Sequence, residues 1–281
     1  MEVIKLINSG SDFLKEKKIL SHKLDSEILL SEILNKPREE LLRNLEKKIH
    51  IKNVNLFNKL INRRSLCEPI AYILKRKEFW SKNFYVDRNT LVPRPETELM
   101  VDKLVNIFKF KREIFMLDIG TGSGCILLSI LNELKKSKGY GLDLSQKALK
   151  IAIKNSKEMK LFDRAKFFRR SFENIFNYKF DLIVSNPPYI EKKDFKNLSD
   201  DIKKFEPKLA LDGGNDGLDV IKKVIYKSKN ILKINGILSL EIGNGQYKKI
   251  SNILVKNNYK IKHLVKDYQD NIRCVISTFE R

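Results

Sequence analysis

Cysteine and histidine are scarce in this chain of 281 residues, at three each. Cys67, Cys125 and Cys274 stand far apart with no Cys-x-x-Cys pairing. That excludes a disulfide framework and a cysteine-based zinc site, and points to buried thiols in a reducing compartment. His22, His50 and His263 are equally scattered, so no metal cluster is expected and each histidine reads as a surface or packing residue. No apolar run approaches the roughly 20 residues of a membrane span. The first 18 residues mix acids and lysines among their apolar positions and lack a signal-peptide core. These absences predict a soluble, cytoplasmic protein. Acidic residues are also outnumbered, 35 against 56 Lys and Arg, for a net charge of +21. The lysines are spread along the whole chain, not gathered in a patch, so no stable nucleic-acid partner is expected.

What is present is enough for a substantial core: 42% of residues are hydrophobic, and the length suits about two domains. Residues 1 to about 70 carry apolar positions at helical spacing, stopped by Asn35-Lys36-Pro37 and restarted at Arg38. This segment holds no cluster of catalytic side chains. Residues 78–86 alternate as strand, turn, strand, with aromatics beside a polar turn. Then follows Leu91-Val92-Pro93-Arg94-Pro95-Glu96-Thr97-Glu98, where Thr97 or Glu96 is expected to cap the next helix.

From residue 114 onward strands and helices alternate, which predicts a mostly parallel sheet. Ile114 to Ile119 reads as a buried strand. It runs into Gly120-Thr121-Gly122-Ser123-Gly124 and a helix from Cys125. Such a glycine-rich turn lets the backbone approach a nucleotide-like ligand. The next strand ends in Asp143, about 20 residues on, where a ribose-hydroxyl acceptor is expected; a helix cap is the alternative role. Tyr259 to Val265 and Ile272 to Phe279 read as two closing antiparallel strands. The segment around Asp212 to Leu218 is either a mobile lid or a long connection.

The strand Phe180-Asp181-Leu182-Ile183-Val184 ends in Ser185-Asn186-Pro187-Pro188-Tyr189. Two prolines cannot continue a ladder, because neither has an N–H to donate. They leave a stiff rim that carries the Asn186 amide and the Pro187 carbonyl. Two neighbouring acceptors suit a planar NH2 group, one for each N–H, with the Tyr189 ring free to cover its flat face. The chemistry this serves is methylation of a weakly nucleophilic nitrogen. Holding both hydrogens orients the lone pair toward an electrophilic methyl. A plain proline turn is the alternative at this point, and the glycine loop and Asp143 upstream favour the functional reading.

Taken together, Glu68-Pro69-Ile70-Ala71-Tyr72-Ile73, Phe79-Trp80, the Pro93 to Glu98 linker, Asp118 to Gly124, Asn186-Pro187-Pro188-Tyr189-Ile190, Phe205-Glu206-Pro207, Asp216-Gly217-Leu218 and Leu240-Glu241-Ile242-Gly243 resemble the bacterial protein-(glutamine-N5) methyltransferases that modify peptide chain release factors. The resemblance covers nearly the whole chain. It implies an α/β fold: a Rossmann-like, seven-stranded S-adenosylmethionine-dependent methyltransferase domain with its last strand antiparallel, over residues 97–281. A small helical substrate-docking domain over 1–72 precedes it, joined by a β-hairpin and Pro-rich linker over 73–96. It implies S-adenosylmethionine as cofactor and the glutamine of a Gly-Gly-Gln motif in release factors as substrate, handled by a monomer.

Carried over by motif, Asp118, Gly120, Thr121, Gly122, Gly124, Asp143, Phe172 and Asn186 should bind the cofactor. Asn186, Pro187 and Tyr189 should be catalytic. Asn186, Pro187, Pro188, Tyr189 and Arg94 should hold the substrate, with Thr97 near both. The family often places an acid just before Phe172 at the adenine; here Arg169-Arg170-Ser171 stands there. Gln269 takes a position where the family favours glycine. Two other readings share the motif: a glutamine methyltransferase of a large-subunit ribosomal protein, and a DNA or RNA amino-methyltransferase. A binding module that no longer catalyses is disfavoured by the intact Asn186 motif.

Overall fold

A computed structural model describes residues 1–111, 113–171 and 178–280. The chain divides into two compact units, Met1–Lys75 with Ser199–Phe205, and Arg76–Leu198 with Glu206–Arg281.

The first unit contains α1 (Val3–Glu16), α2 (His22–Leu34), α3 (Arg38–Arg43), α4 (Ile51–Ser65) and α5 (Ile70–Leu74), joined later in the chain by α9 (Asp200–Phe205). Leu6, Ile7 and Leu14 of α1 share a core with Leu29 and Leu30 of α2 and Phe57 and Ile61 of α4. Gly10 makes that packing possible: a Cβ there would lie 2.6 Å from the Phe57 ring and 2.8 Å from Ser26 Oγ. Asn35 ends α2 in the left-handed region at φ 49°, a conformation Asn tolerates, and Pro37 follows. A buried pair, Arg64 Nε to Asp25 Oδ2 at 2.7 Å, ties α4 to α2.

The second unit opens with a hairpin, β1 (Arg76–Phe79) and β2 (Lys82–Tyr85), paired antiparallel. Its two-residue turn, Trp80-Ser81, has both residues at positive φ (51° and 53°). That backbone twist matches the twist of the flanking strands. Phe79 and Phe84 point into the main core, edge to face at 6.0 Å. Next come α6 (Pro95–Phe108), β3 (Phe115–Ile119), α7 (Cys125–Glu133), β4 (Lys138–Asp143), α8 (Gln146–Glu158), β5 (Ala165–Arg169) and β6 (Phe180–Ser185). After α9 the chain continues with α10 (Asp219–Ser228), β7 (Leu232–Glu241), α11 (Tyr247–Lys256), β8 (Tyr259–Lys266) and β9 (Ile272–Phe279).

The seven strands β3 to β9 form one sheet, in the order β5-β4-β3-β6-β7-β9-β8. Five are parallel neighbours, and β9 runs antiparallel to both β7 and β8. The expected seven-stranded α/β sheet with an antiparallel last strand is what forms. Met116, Leu182, Val184 and Ile237 face one core, while Leu117, Ile183 and Leu238 face the other. Burial on both faces is why these strands read as continuous apolar runs. The chain leaves β3 for β4 and β5 on one side and returns to β6 on the other. The β3/β6 boundary is therefore the switch point, where the carboxyl ends of the strands leave a crevice.

One local expectation is corrected. Neither Thr97 nor Glu96 caps α6. The helix begins at Pro95, with Arg94 in the cap position and no side-chain cap. Proline suits that first position, since its missing N–H has no helical partner there, and its fixed φ starts the helix two or three residues earlier than expected. Thr97 is thus inside the first turn, and its hydroxyl is used elsewhere.

Candidate active site

A cavity of about 570 Å³ opens at the carboxyl ends of β3, β4 and β6. Its wall takes Gly120, Thr121 and Gly122 from the turn after β3, Asp143 from the end of β4, and Asn186, Pro187 and Pro188 from the end of β6. Arg94 and Thr97 come from the segment that starts α6, and Arg170 and Ser171 lie after β5. These residues are far apart in sequence, and the parallel sheet brings them to one rim.

The glycine turn has Gly120 and Gly122 at φ 76° and 56°, and a Cβ on Gly120 would meet nothing within 4 Å. Both glycines border open space, as a ligand lying against the backbone needs. Gly124 serves differently. It stands at the start of α7, outside the cavity wall, where a Cβ would lie 3.1 Å from Leu128 and 3.3 Å from Ala152. It lets α7 and α8 approach each other. Asp118 is also outside the wall and fully buried beneath the turn. Its Oδ2 accepts from the Thr121 hydroxyl at 2.7 Å, and its Oδ1 has no partner. Burial pushes its carboxyl up to about 7, against the pull of the Thr121 hydroxyl.

Asp143 is half-buried and lies in the wall. Its Oδ2 accepts from Gly122 N at 3.0 Å and its Oδ1 from Ser145 N at 2.8 Å. The cap of α8 is Ser145, whose hydroxyl accepts from Ala148 N. Each Asp143 oxygen keeps a further lone pair for a hydroxyl donor. Burial raises the Asp143 carboxyl, while the N–H groups of Ser145 and Gly122 oppose it.

At the end of β6, the Ser185 hydroxyl donates to Ile119 O at 2.7 Å and clamps the two central strand ends together. Asn186 follows, and its side-chain amide lies near Glu241 at the end of β7, where it favours the ionised carboxyl. Glu241 is 2% exposed and accepts from the Thr97 hydroxyl through Oε2 at 2.6 Å. Burial pushes Glu241 up to about 7; Thr97, Arg273 and Asn186 pull it down, and Glu96 raises it. Arg94 donates from Nη2 to Glu206 Oε1 at 2.6 Å, which pins the linker to the buried Glu206.

Tyr189 lies outside the cavity wall. Its ring packs on the second core cluster, and its carbonyl accepts from Gln246 Nε2 at 3.0 Å. Burial first, and then the nearby Glu241 charge, push its hydroxyl up to about 12. The segment around Asp212 to Leu218 is stitched to Tyr189 and its neighbours: Ile190 N donates to Leu211 O, Gly213 N to Ile190 O, and Gln246 Nε2 also reaches Gly217 O. Phe172 lies outside the described residues. Among the described residues no group of three His, Cys, Asp or Glu side chains could hold a metal, and no helix is long and apolar enough to cross a membrane.

Sequence reasoning gave no role to Glu241 or Glu206, although both sit in quoted motifs. The available signal for Glu241 was a lone acid closing an apolar run, Ile237-Leu238-Ser239-Leu240-Glu241. Asn155 and Gln246 gave no signal, since their partners are mostly distant backbone groups.

Two family models match, "PrmC N-terminal domain" over residues 5–74 and "Methyltransferase small domain" over residues 95–213. A release factor glutamine methyltransferase of Buchnera aphidicola is 40% identical, over 89% of this chain and 90% of that protein. Another from Fusobacterium nucleatum is 34% identical, over 98% of this chain and 78% of that protein. A bifunctional methyltransferase of Rickettsia felis is 34% identical, and the chain spans 57% of its length. Among solved structures, a methyltransferase from Pyrococcus furiosus superposes with a TM-score of 0.57 at 15% identity, over 78% of this chain and 99% of that one. A ribosomal protein L11 methylase from Lactobacillus delbrueckii gives 0.52 at 18% identity, over 68% of this chain and 82% of that one. At those identities the two structures speak for the fold alone.

Proposed function

The chain belongs to the release factor glutamine methyltransferase family, and from that premise we propose that it methylates the side-chain amide nitrogen of the glutamine in the Gly-Gly-Gln motif of release factors, using S-adenosylmethionine. The observation that carries this reading is the position of Asn186 and Pro187 in the wall of the same cavity as Gly120, Gly122 and Asp143. The residues present fit the cofactor. Open space over Gly120 and Gly122 accommodates a ligand against the backbone, and Asp143 retains lone pairs for the ribose hydroxyls. Gly120, Thr121, Gly122, Asp143 and the segment ending in Arg170 and Ser171 would hold it. S-adenosylmethionine, when bound, supplies an electrophilic methyl.

The chain's own work is orientation. Asn186 Oδ1 and the Pro187 carbonyl each accept one N–H of the glutamine amide, which turns the nitrogen lone pair outward in a fixed direction. The nitrogen becomes acidic only as it alkylates, so no strong general base is needed. Arg94, held by Glu206, stands at the cavity as a cation for the substrate backbone. Pro188 stiffens the rim, and Tyr189 supports it from behind through its packing and its carbonyl. The N-terminal helical unit docks the release factor. In this reading the enzyme acts as a cytoplasmic monomer on a protein substrate.

The test is mass spectrometry of an unmodified release factor incubated with the protein and S-adenosylmethionine. One added methyl on the Gly-Gly-Gln glutamine is expected, and none with Asn186→Ala, which should still bind the cofactor in calorimetry. Methyl transfer only to a ribosomal protein or to nucleic acid would overturn the substrate assignment.

A further inference from the structure

We infer that Glu241 is a positioning residue for the transfer step: it fixes which end of the Asn186 amide faces the cavity, with Thr97 holding Glu241 in place. The inference rests on the functional reading above and adds a residue to it. The β6/β7 register pairs Ser185 with Leu240, so Asn186, just past the end of β6, and Glu241, the last residue of β7, are the next residues along two adjacent parallel chains. Neighbouring residues in register project to the same side of a sheet. Glu241 is buried, takes a hydrogen bond from the Thr97 hydroxyl at 2.6 Å, and has the Asn186 amide beside it, which favours the ionised carboxyl.

An asparagine amide is nearly symmetric in shape but not in chemistry, with an acceptor at one end and donors at the other. An ionised carboxylate accepts only, so any bond to it from Asn186 must come from Nδ2. Oδ1 is then left for the cavity, where an NH2 group needs an acceptor. A protonated Glu241 carries an O–H that competes for Oδ1, so the productive orientation is favoured when Glu241 is ionised. Around Glu241 stand Arg273 and Cys274 of β9, Glu96 of α6, Cys125 of α7, and Tyr189 beyond β6. Arg273 favours the ionised form and Glu96 opposes it.

The experiment has two readouts on the full chain. The first is the side-chain 15N–1H signal of Asn186, assigned by its loss in Asn186→Ala, followed from pH 5.5 to 9 without substrate. It should titrate with a midpoint near the Glu241 value of about 7, and Glu241→Gln should abolish that titration. The second is methyl transfer to the release factor over the same range. Wild type should lose kcat as pH falls through that midpoint. Glu241→Gln should lower kcat about 10- to 100-fold, the scale of a misplaced reacting group, and remove the acid limb. Cofactor affinity should stay unchanged. Thr97→Val should move the limb to higher pH, because the hydroxyl it deletes stabilises the carboxylate.

An Asn186 signal that does not titrate, or that titrates identically in Glu241→Gln, overturns the inference. Should Glu241→Gln fail to fold, an unmoved limb and an unmoved Asn186 titration in Thr97→Val overturn it equally. A wild type that transfers no methyl to any release factor, while Asn186 titrates as expected, counts against the functional reading and leaves the positioning intact.

Discussion

Asp143 divides its carboxylate between two loops. One oxygen holds Gly122 N and the other Ser145 N, so the acid welds the glycine turn to the start of α8 before any ligand arrives. A residue used this way can preorganise a site as well as bind in it. Asp143→Ala should weaken S-adenosylmethionine binding about 10- to 100-fold, the effect of losing a hydrogen bond to a charged group. Asp143→Asn, which keeps one acceptor, should fall between the two. Isothermal titration calorimetry reads both, and equal affinities across the three proteins would reduce Asp143 to a loop strut. The sequence made Asp143 legible through its spacing from the glycines. The neighbouring Thr97 was misread, because a threonine near a helix start usually caps, and nothing local reveals a buried carboxylate 144 positions away. Its true partner depends on where β7 ends, which is a property of the sheet.

Among the elements, the hairpin and the cofactor turn are joined by one side chain. Asn155 of α8 is 1% exposed; its Oδ1 accepts from Tyr85 N at 2.8 Å, and its Nδ2 donates to Tyr85 O at 3.1 Å and Ser123 O at 2.8 Å. The edge of β2 is thereby paired by a side chain instead of another strand. Asn155→Ala would strip all three backbone groups of their partner in a place water reaches poorly. A loss of about 2–4 kcal/mol is expected, since each buried group left unsatisfied costs roughly 1–3 kcal/mol and the three share one site. Urea unfolding would measure it, and a change below about 0.5 kcal/mol would show that water replaces the amide. Cofactor affinity should drop with it, because Ser123 belongs to the turn. Most strands were legible as short apolar or aromatic runs bounded by turn residues. The staple was not, because an asparagine on a helix looks like any polar surface residue until the hairpin is laid over it. The surroundings of Tyr189 were equally hidden: the close backbone of Gly213 and Gly217 and the Gln246 amide hold its peptide, and its ring packs against the core.

At the scale of the whole molecule, two buried carboxyls lie beneath one site, Asp118 under the glycine turn and Glu241 under Asn186. Burial raises both to about 7. In the unfolded chain they would titrate near their ordinary values of about 3.9 and 4.3. Between roughly pH 4.5 and 7 the folded protein therefore holds protons that the unfolded chain has released. Stability from these groups is fully present below the ordinary carboxylate range and is lost as pH rises through about 7. The +21 charge acts against this trend, since self-repulsion grows as pH falls. The signal to measure is thus a difference. The double variant Asp118→Asn with Glu241→Gln carries nearly the same net charge but no titrating pair. Its melting temperature should gain on the wild type from pH 5 to about 7 and hold that gain to pH 8, where the carboxyls are ionised in both states. A gap that stays constant across that range would mean the two carboxyls ionise in the fold as easily as in water. A widening gap would mean that the site carries its acids at a cost to the fold. That cost has a use at Glu241, where ionisation sets the Asn186 amide; at Asp118 the buried carboxyl anchors the turn through the Thr121 hydroxyl.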